Sequence, residues 1–342
     1  MRRFQIFLPI IAAAALVCAQ TAATKPLDIF VVDVEGGQAT LFVTPSGESL
    51  LVDTGWAGVN GRDADRIAAV ARRAGVAAID YLVVTHYHSD HVGGVPELVK
   101  RLPVRNFVDH GPTVETGERP AALFAAYAAA RNTGRHVPVK PGDSLPLKDL
   151  DVRVVAAAGE SIQRPLAGAG AANPLCRDFQ PAEEDKTENA RSIGMMLTFG
   201  GFRMADLGDL TWNKEHDLVC PANLLGAVDV YLTTHHGTDT SGGPFIVHAL
   251  RPRVAIMNNG ATKGGSRRAW QTVHDSPGLQ DFWQLHLAAN AGAGHNAAEP
   301  FIANIDETTG YGIKISAQRD GRFTVSNERN AFSKDYSGSA KQ

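Results

Sequence analysis

Between Thr85 and Gly94 the chain reads Thr-His-Tyr-His-Ser-Asp-His-Val-Gly-Gly, which brings three imidazoles and a carboxylate together within six residues. His86 and His88 stand two apart at the end of an expected strand, where period-2 alternation turns both rings the same way. Asp90 and His91 follow as the chain turns toward a helix. This donor set exceeds what one metal ion needs; two ions sharing it through a bridging hydroxide is the natural chemistry. Imidazole with carboxylate suits zinc, manganese or iron rather than calcium. The bland alternative is a solvated polar turn, and the apolar strand before it and Gly93-Gly94 after it speak against that.

The elements that must position these groups alternate between strand and helix patterns. Residues 27–34, 38–43 and 49–52 read as strands, the last ending in Asp53-Thr54-Gly55. Residues 62–74 carry a helix pattern, 79–84 a buried-type strand that runs into the His-rich loop, 96–101 a continuing helix, and 104–108 another strand. An Ala-rich helix covers 121–131; further strands are expected at 150–156, 193–198, 202–205, 228–233 and 254–257. Residues 161–189 read as a long loop, and a terminal hairpin turns at Asp320-Gly321. Such alternation argues for α/β layers.

The chain of 342 residues is 44% hydrophobic and 20% charged, which excludes disordered, collagenous and coiled-coil classes. A formal net charge of -3 with no basic run gives no footprint for gripping duplex nucleic acid, though a small phosphodiester stays open as a substrate. Arg2 and Arg3, an apolar stretch at 6–17 and the small residues at 18–23 read as a secretory signal peptide cut after Ala19 or Ala23. The protein is therefore expected to be exported, periplasmic or secreted. Loss of Arg2 and Arg3 moves the formal charge from -3 to -5. The run is too short to span a bilayer comfortably, and no later stretch is long enough. Cys176 and Cys220 remain; they read equally as a disulfide or as two small buried hydrophobes. Residues 24–342 are expected to form a single hydrolase domain with a C-terminal extension from about 265. Oligomeric state is open.

The spacing His86-Tyr87-His88-Ser89-Asp90-His91 resembles the hallmark of the metallo-β-lactamase fold superfamily, and other landmarks recur in order. The resemblance implies a four-layer αββα sandwich. It implies that His86, His88, Asp90 and His91 hold metal, that Asp53 orients these ligands, and that Asp209 in Leu207-Gly208-Asp209 bridges both ions, with Asp206 as the fallback. In Thr233-Thr234-His235-His236-Gly237 it assigns one His to the second metal. His236 fits best, leaving His235 to line the site or donate a proton; the swapped assignment stays open, because neighbours in an extended chain point to opposite sides. Asp90 is also a candidate proton acceptor. The implied cofactors are two divalent transition-metal ions, zinc first, with manganese or iron as alternatives.

The landmarks Val32 to Ala39, Glu188-Asn189-Ala190-Arg191-Ser192 and Arg251-Pro252-Arg253-Val254-Ala255 narrow the likeness. In this order they resemble the hydrolase domain of bacterial DNA-uptake competence proteins and their stand-alone relatives, over roughly residues 27–260. Two departures matter. The β-lactamase and glyoxalase branches have a separate third His for the first metal; here that interval offers only His110, which ends a strand, and His136, which looks superficial. Competence relatives carry Gly-His-Pro after the strand at 254–257, where this chain has Asn258-Asn259-Gly260-Ala261. Asn189, His286 and His295 are then candidates for polar site groups. Lys263, Arg267 and Arg268 read as a solvated loop, with binding of an anionic substrate as the functional alternative. Competence-type likeness implies metal-assisted hydrolysis of a phosphodiester or other phosphorylated substrate. The rivals are an ester, lactone or β-lactam ring-opener and a non-catalytic metal-binding sensor or scaffold.

Overall fold

The computed structural model describes Met1 and residues 25–338; the expected signal peptide, Met1 apart, lies outside the described residues. Apolar residues in the central strands alternate between two cores. In β1 (Leu27–Val31), Leu27, Ile29 and Val31 face one core while Phe30 faces another. The first sheet continues with β2 (Thr40–Val43), β3 (Ser49–Val52), β4 (Ile79–Val83), β5 (Val104–Asp109) and β6 (Arg135–Pro138). The second holds β7 (Ser144–Leu145), β8 (Asp151–Ala157), β9 (Glu160–Ser161), β10 (Gly194–Phe199), β11 (Phe202–Asp206), β12 (Val230–Leu232), β13 (Val254–Met257), β14 (Asp281–His286) and β15 (Ile302–Asn304). The chain then returns to the first sheet with β16 (Ile313–Ala317), β17 (Phe323–Asn327) and β18 (Ser333–Tyr336).

Strand order is β18-β17-β16-β1-β2-β3-β4-β5-β6 in one sheet and β15-β14-β13-β12-β11-β10-β8-β7 in the other, with β9 paired to β8. A core of residues from both sheets, with Trp283 and Phe42 among the largest, lies between them. The helices α1 (Arg62–Arg73), α2 (Val95–Leu98) and α3 (Glu118–Arg131) cover the outer face of the first sheet. The second sheet is covered by α4 (Trp212–Val219), α5 (Pro244–Leu250) and α6 (Arg267–His274). The result is an α/β fold of four layers, αββα. Helix α1 shows how sequence sets a layer: Ala64, Ile67, Ala68 and Ala71 bury one stripe, with Asp63 and Asp65 in the first turn and Arg72 and Arg73 in the last, complementing the helix dipole.

The segment from about 265 does not stand apart, because β14 and β15 extend the second sheet and β16 to β18 the first. Its Ile313, Ile315 and Val325 enter the core between the sheets. Cys176 and Cys220 are joined by a disulfide, with Cα atoms 5.7 Å apart. The bridge pins the 161–189 loop to the end of α4.

Candidate metal centre

The site lies where strands of both sheets end. Parallel pairing aligns the C-terminal ends of β3 with β4, and of β11, β12 and β13, so the loops leaving them converge. Loop β4–α2 carries His86 to His91, loop β11–α4 carries Asp209, and a short 3-10 turn after β12 carries His235 and His236. Gly93 and Gly94 end the His-rich loop because it runs against backbone. A Cβ on Gly93 would sit 2.1 Å from the Ala57 nitrogen, and one on Gly94 2.0 Å from the Thr54 oxygen.

One ligand atom each from Asp90, His91, Asp209 and His236 lies within 4.8 Å of the others, and all four residues are buried. Nε2 of His91 lies 3.1 Å from Nε2 of His236, 3.3 Å from Asp90 Oδ2 and 3.2 Å from Asp209 Oδ2. His236 Nε2 lies 3.3 Å from Asp90 Oδ2 and 3.4 Å from Asp209 Oδ2. Next to them, His86 Nε2 and His88 Nδ1 are 3.0 Å apart, with Asp209 Oδ2 3.9 Å from His86 Nε2. Asp209 thus faces both groups, and its Oδ1 is buried with no hydrogen-bond partner among the described residues. A buried carboxylate facing ring nitrogens, with one oxygen orphaned, calls for a cation. The donor set fits a divalent transition metal.

Electrostatics point the same way. Burial opposes charge on Asp209, yet His236, His91 and His235 outweigh it and hold the carboxyl well below its ordinary range. Burial likewise opposes charge on Asp90; His91 and His236, followed by Lys263, keep it ionised. Burial and the neighbouring His91 keep His86 neutral, the state in which an imidazole binds metal.

Asp53 stands behind this group. Its Oδ2 lies 2.7 Å from His91 Nδ1 and accepts a 2.7 Å hydrogen bond from Thr85 Oγ1, and its Oδ1 accepts the Thr85 backbone N–H at 2.8 Å. That contact puts the proton on His91 Nδ1 and turns the Nε2 lone pair into the site. Asp206 is elsewhere: both its oxygens accept from Gln38 Nε2 at 3.0 Å, and burial pushes its carboxyl up to about 6.

His235 and His236 both occupy the left-handed region, with φ of 55° and 56°. The extended-chain premise of opposite faces fails here. His236 joins the group of four, and His235 also reaches Asp209, its Nε2 3.4 Å from Oδ2, with Thr240 Oγ1 3.0 Å from Nδ1.

The four remaining histidine candidates are spent on other partners. His110 packs on the Tyr87 ring and places Nε2 2.9 Å from buried Glu188 rather than in the group of four. His286 lies 2.8 Å from Asp33 Oδ1, in a separate cluster with Glu35 whose positive charge is already supplied by Arg66. His136 pairs with Asp109 and His295 with the Ala293 carbonyl. The Oδ1 of Asn189 is buried without a hydrogen-bond partner among the described residues.

Three groups escaped sequence reasoning. Glu188 is a buried hub that accepts the backbone N–H of Val114 at 2.7 Å and the Thr113 hydroxyl at 2.8 Å. Ser192 Oγ lies 3.3 Å from His86 Nδ1 and accepts the Asp209 backbone N–H. Glu115 lies 2.8 Å from His88 Nε2. Glu188 and Ser192 bracket the landmark from which only Asn189 was drawn; Glu115 carries no signal in the sequence, since only loop folding brings it to His88.

A four-layer α/β sandwich with imidazoles and carboxylates gathered where strands of both sheets end defines a class of metal-centre proteins. The family model of the metallo-beta-lactamase superfamily matches residues 32–170. It is 26% identical to ComE operon protein 3 of Bacillus subtilis over 187 residues, which is 54% of this chain and 20% of that protein. The chain thus spans about a fifth of that relative's length. It is 25% identical to a UPF0173 protein of Pyrococcus abyssi over 260 residues, 72% of this chain and 96% of the relative. Among solved structures, a diphosphatase from the PhnP family aligns with a TM-score of 0.41 at 12% identity, covering 84% of this chain and 97% of the other.

Proposed function

We propose that the protein is an exported metal-dependent hydrolase of a phosphodiester or other phosphorylated substrate. The observation that carries this reading is the convergence of Asp90, His91, Asp209 and His236 within 4.8 Å, with His86 and His88 beside them on Asp209. His86, His88 and Asp209 would hold one divalent ion, and Asp90, His91, His236 and Asp209 the other. Bound there, such ions supply an activated water and polarise an oxygen of the substrate. The chain's own residues do the rest. Asp53 fixes the orientation of His91, Ser192 fixes His86 and the Asp209 backbone, and Glu115 steadies His88. His235, 16% exposed and kept neutral by burial despite Asp209, is poised to take or give a proton at Nε2.

Retention of every residue of the His-rich cluster favours catalysis over a sensor or scaffold role. The phosphorylated class rests on the competence-type likeness and on the Lys263 ammonium at the centre, which pairs with Asp90. The Cys176–Cys220 disulfide suits an oxidising compartment and supports export. The test combines elemental analysis of the purified chain with parallel assays on bis(p-nitrophenyl) phosphate, p-nitrophenyl acetate and nitrocefin. Hydrolysis of the phosphodiester alone is expected. Turnover of only the ester or the lactam transfers the reading to that rival, and full metal occupancy with no turnover of any probe favours the sensor.

A further inference from the structure

The loop from Asn258 to Ser266 forms one wall of the candidate metal centre, and its backbone is tied down from Ala261 to Ser266. Gly265 N–H donates to the His236 carbonyl at 2.9 Å, and Ser266 N–H to the Gly237 carbonyl at 2.8 Å. Ala289 N–H donates to the Ala261 carbonyl, and Asn290 Nδ2 to the Gly264 carbonyl at 3.0 Å. The loop lies so close to the ligand turn that a Cβ on Gly264 would meet the His236 oxygen at 2.1 Å. At its tip the Gly260 N–H closes a turn on the Lys263 carbonyl, and Gly36 and Gly260 pack backbone to backbone. Lys263 is therefore held on a fixed scaffold. Its ammonium pairs with Asp90 and lies 4.8 Å from the centre of the Trp56 ring.

Asp90 is the only ion-pair partner of Lys263 among the described residues. A divalent ion held by Asp90 would take up that carboxylate's charge and would leave the Lys263 ammonium with the Trp56 face behind it and three N–H donors to satisfy. Further along the same wall, Arg267 and Arg268 begin α6. Among the described residues neither has an ion-pair partner; Arg268 stacks over Trp212 at 4.7 Å. Both line an open cavity of about 640 Å³ with Asn290, Gln271 and Asp239, whose carboxylate is engaged by Ser266 Oγ.

We propose that Lys263 binds the anionic group of the substrate at the metal centre, and that Arg267 and Arg268 receive a second negative charge beyond it. The substrate class is then a phosphodiester or phosphoanhydride that carries at least one further phosphate. This rests on the phosphorylated-substrate reading above and narrows it.

The test uses the full chain loaded with zinc and titrated calorimetrically with inorganic phosphate and with pyrophosphate, with metal content measured on each sample. A lost charge-assisted hydrogen bond predicts that Lys263→Gln weakens phosphate binding by about tenfold or more at unchanged metal content, while Lys263→Arg stays close to the parent. The double variant Arg267→Gln, Arg268→Gln is expected to bind phosphate like the parent and pyrophosphate about tenfold more weakly. Equal phosphate binding by Lys263→Gln and the parent overturns the Lys263 assignment and leaves the phosphorylated-substrate reading standing. Loss of metal along with phosphate in Lys263→Gln also overturns it, because the lysine then serves the metal site. Unchanged pyrophosphate binding by the double variant overturns the second-charge assignment. A zinc-loaded parent that binds neither probe removes the phosphorylated-substrate reading and this inference together.

Discussion

Asp209 and Asp206 are three residues apart, both buried, and differ in what faces them. Asp209 looks at His86, His91, His235 and His236; Asp206 looks at the Gln38 amide. Asp209→Asn keeps the volume and removes the charge that either ion would need. It is expected to abolish measurable hydrolysis and to lower metal content while leaving the fold intact. Asp206→Asn should change metal content little. Elemental analysis beside a thermal melt checks the pair, and the reverse pattern would move the bridging role three residues. A second residue-scale expectation concerns Glu215, which is fully buried and accepts the Gly242 N–H at 2.7 Å beneath the His235-His236 turn. Burial pushes its carboxyl up to about 8, from an ordinary 4.5. A folded-state value above the unfolded one means the folded state holds its proton longer, so this group's stabilisation is complete below about pH 4.5 and is lost as pH rises toward 8. Glu215→Gln, which mimics the protonated form, should flatten the fall in melting temperature between pH 5 and 8. A parallel decline in parent and variant would assign that fall to other groups.

At the scale of elements, the positioning depends on close backbone approach and on one covalent tie. Gly94 precedes α2 and has no room for a side chain against the Thr54 carbonyl. Gly94→Ala should cost about 1–3 kcal/mol through the forced shift. Because the displaced strand end carries Asp53, weaker metal binding should accompany it. Denaturant melts with a metal titration would show both, and a stability loss at unchanged metal affinity would separate the glycine from the site. The disulfide closes a separation of 44 residues and anchors the 161–189 loop, which leads into Glu188 and Ser192. Replacing Cys176 and Cys220 by Ala should cost about 2–4 kcal/mol in a denaturant melt. The elements most legible beforehand were those with a clear local signal: the periodic α1, the apolar run of β13 and the hairpin of β16 and β17 lie close to where the pattern puts them. Short strands such as β7 and β9, and the edge strand β18 with its polar Ser-Lys-Asp, are formed by pairing with neighbours and leave little trace in composition.

For the molecule as a whole, the site is a seam. One side hangs from the first sheet and the other from the second, so a bound cation cross-links the two halves and must stabilise the folded state over the unfolded one. At free metal a hundredfold above the dissociation constant, the gain is about 2.7 kcal/mol. Chelation is therefore expected to lower the melting temperature by several degrees, reversibly, and Asp209→Asn should erase most of that difference. A melting temperature indifferent to chelator would mean that the metal does not bind where the two halves meet.

The sequence alone determined the α/β class, the chemistry of the His-rich loop, and the identity of Asp53, Asp209 and His236 as residues to watch. The His-rich loop is a local signal, a spacing of two at a strand end with a glycine pair behind it; Asp53, Asp209 and His236 were implied by the family resemblance, since a carboxylate after a strand is by itself an ordinary turn. Tertiary structure alone decided where Asp206, His110 and His286 point, and brought Glu115 to His88. It also twisted His235 and His236 into left-handed backbone, where both rings reach Asp209. These outcomes depend on which loops meet across two sheets and on which buried charge finds a partner. Such contacts join residues dozens to hundreds of positions apart, so no local pattern records them.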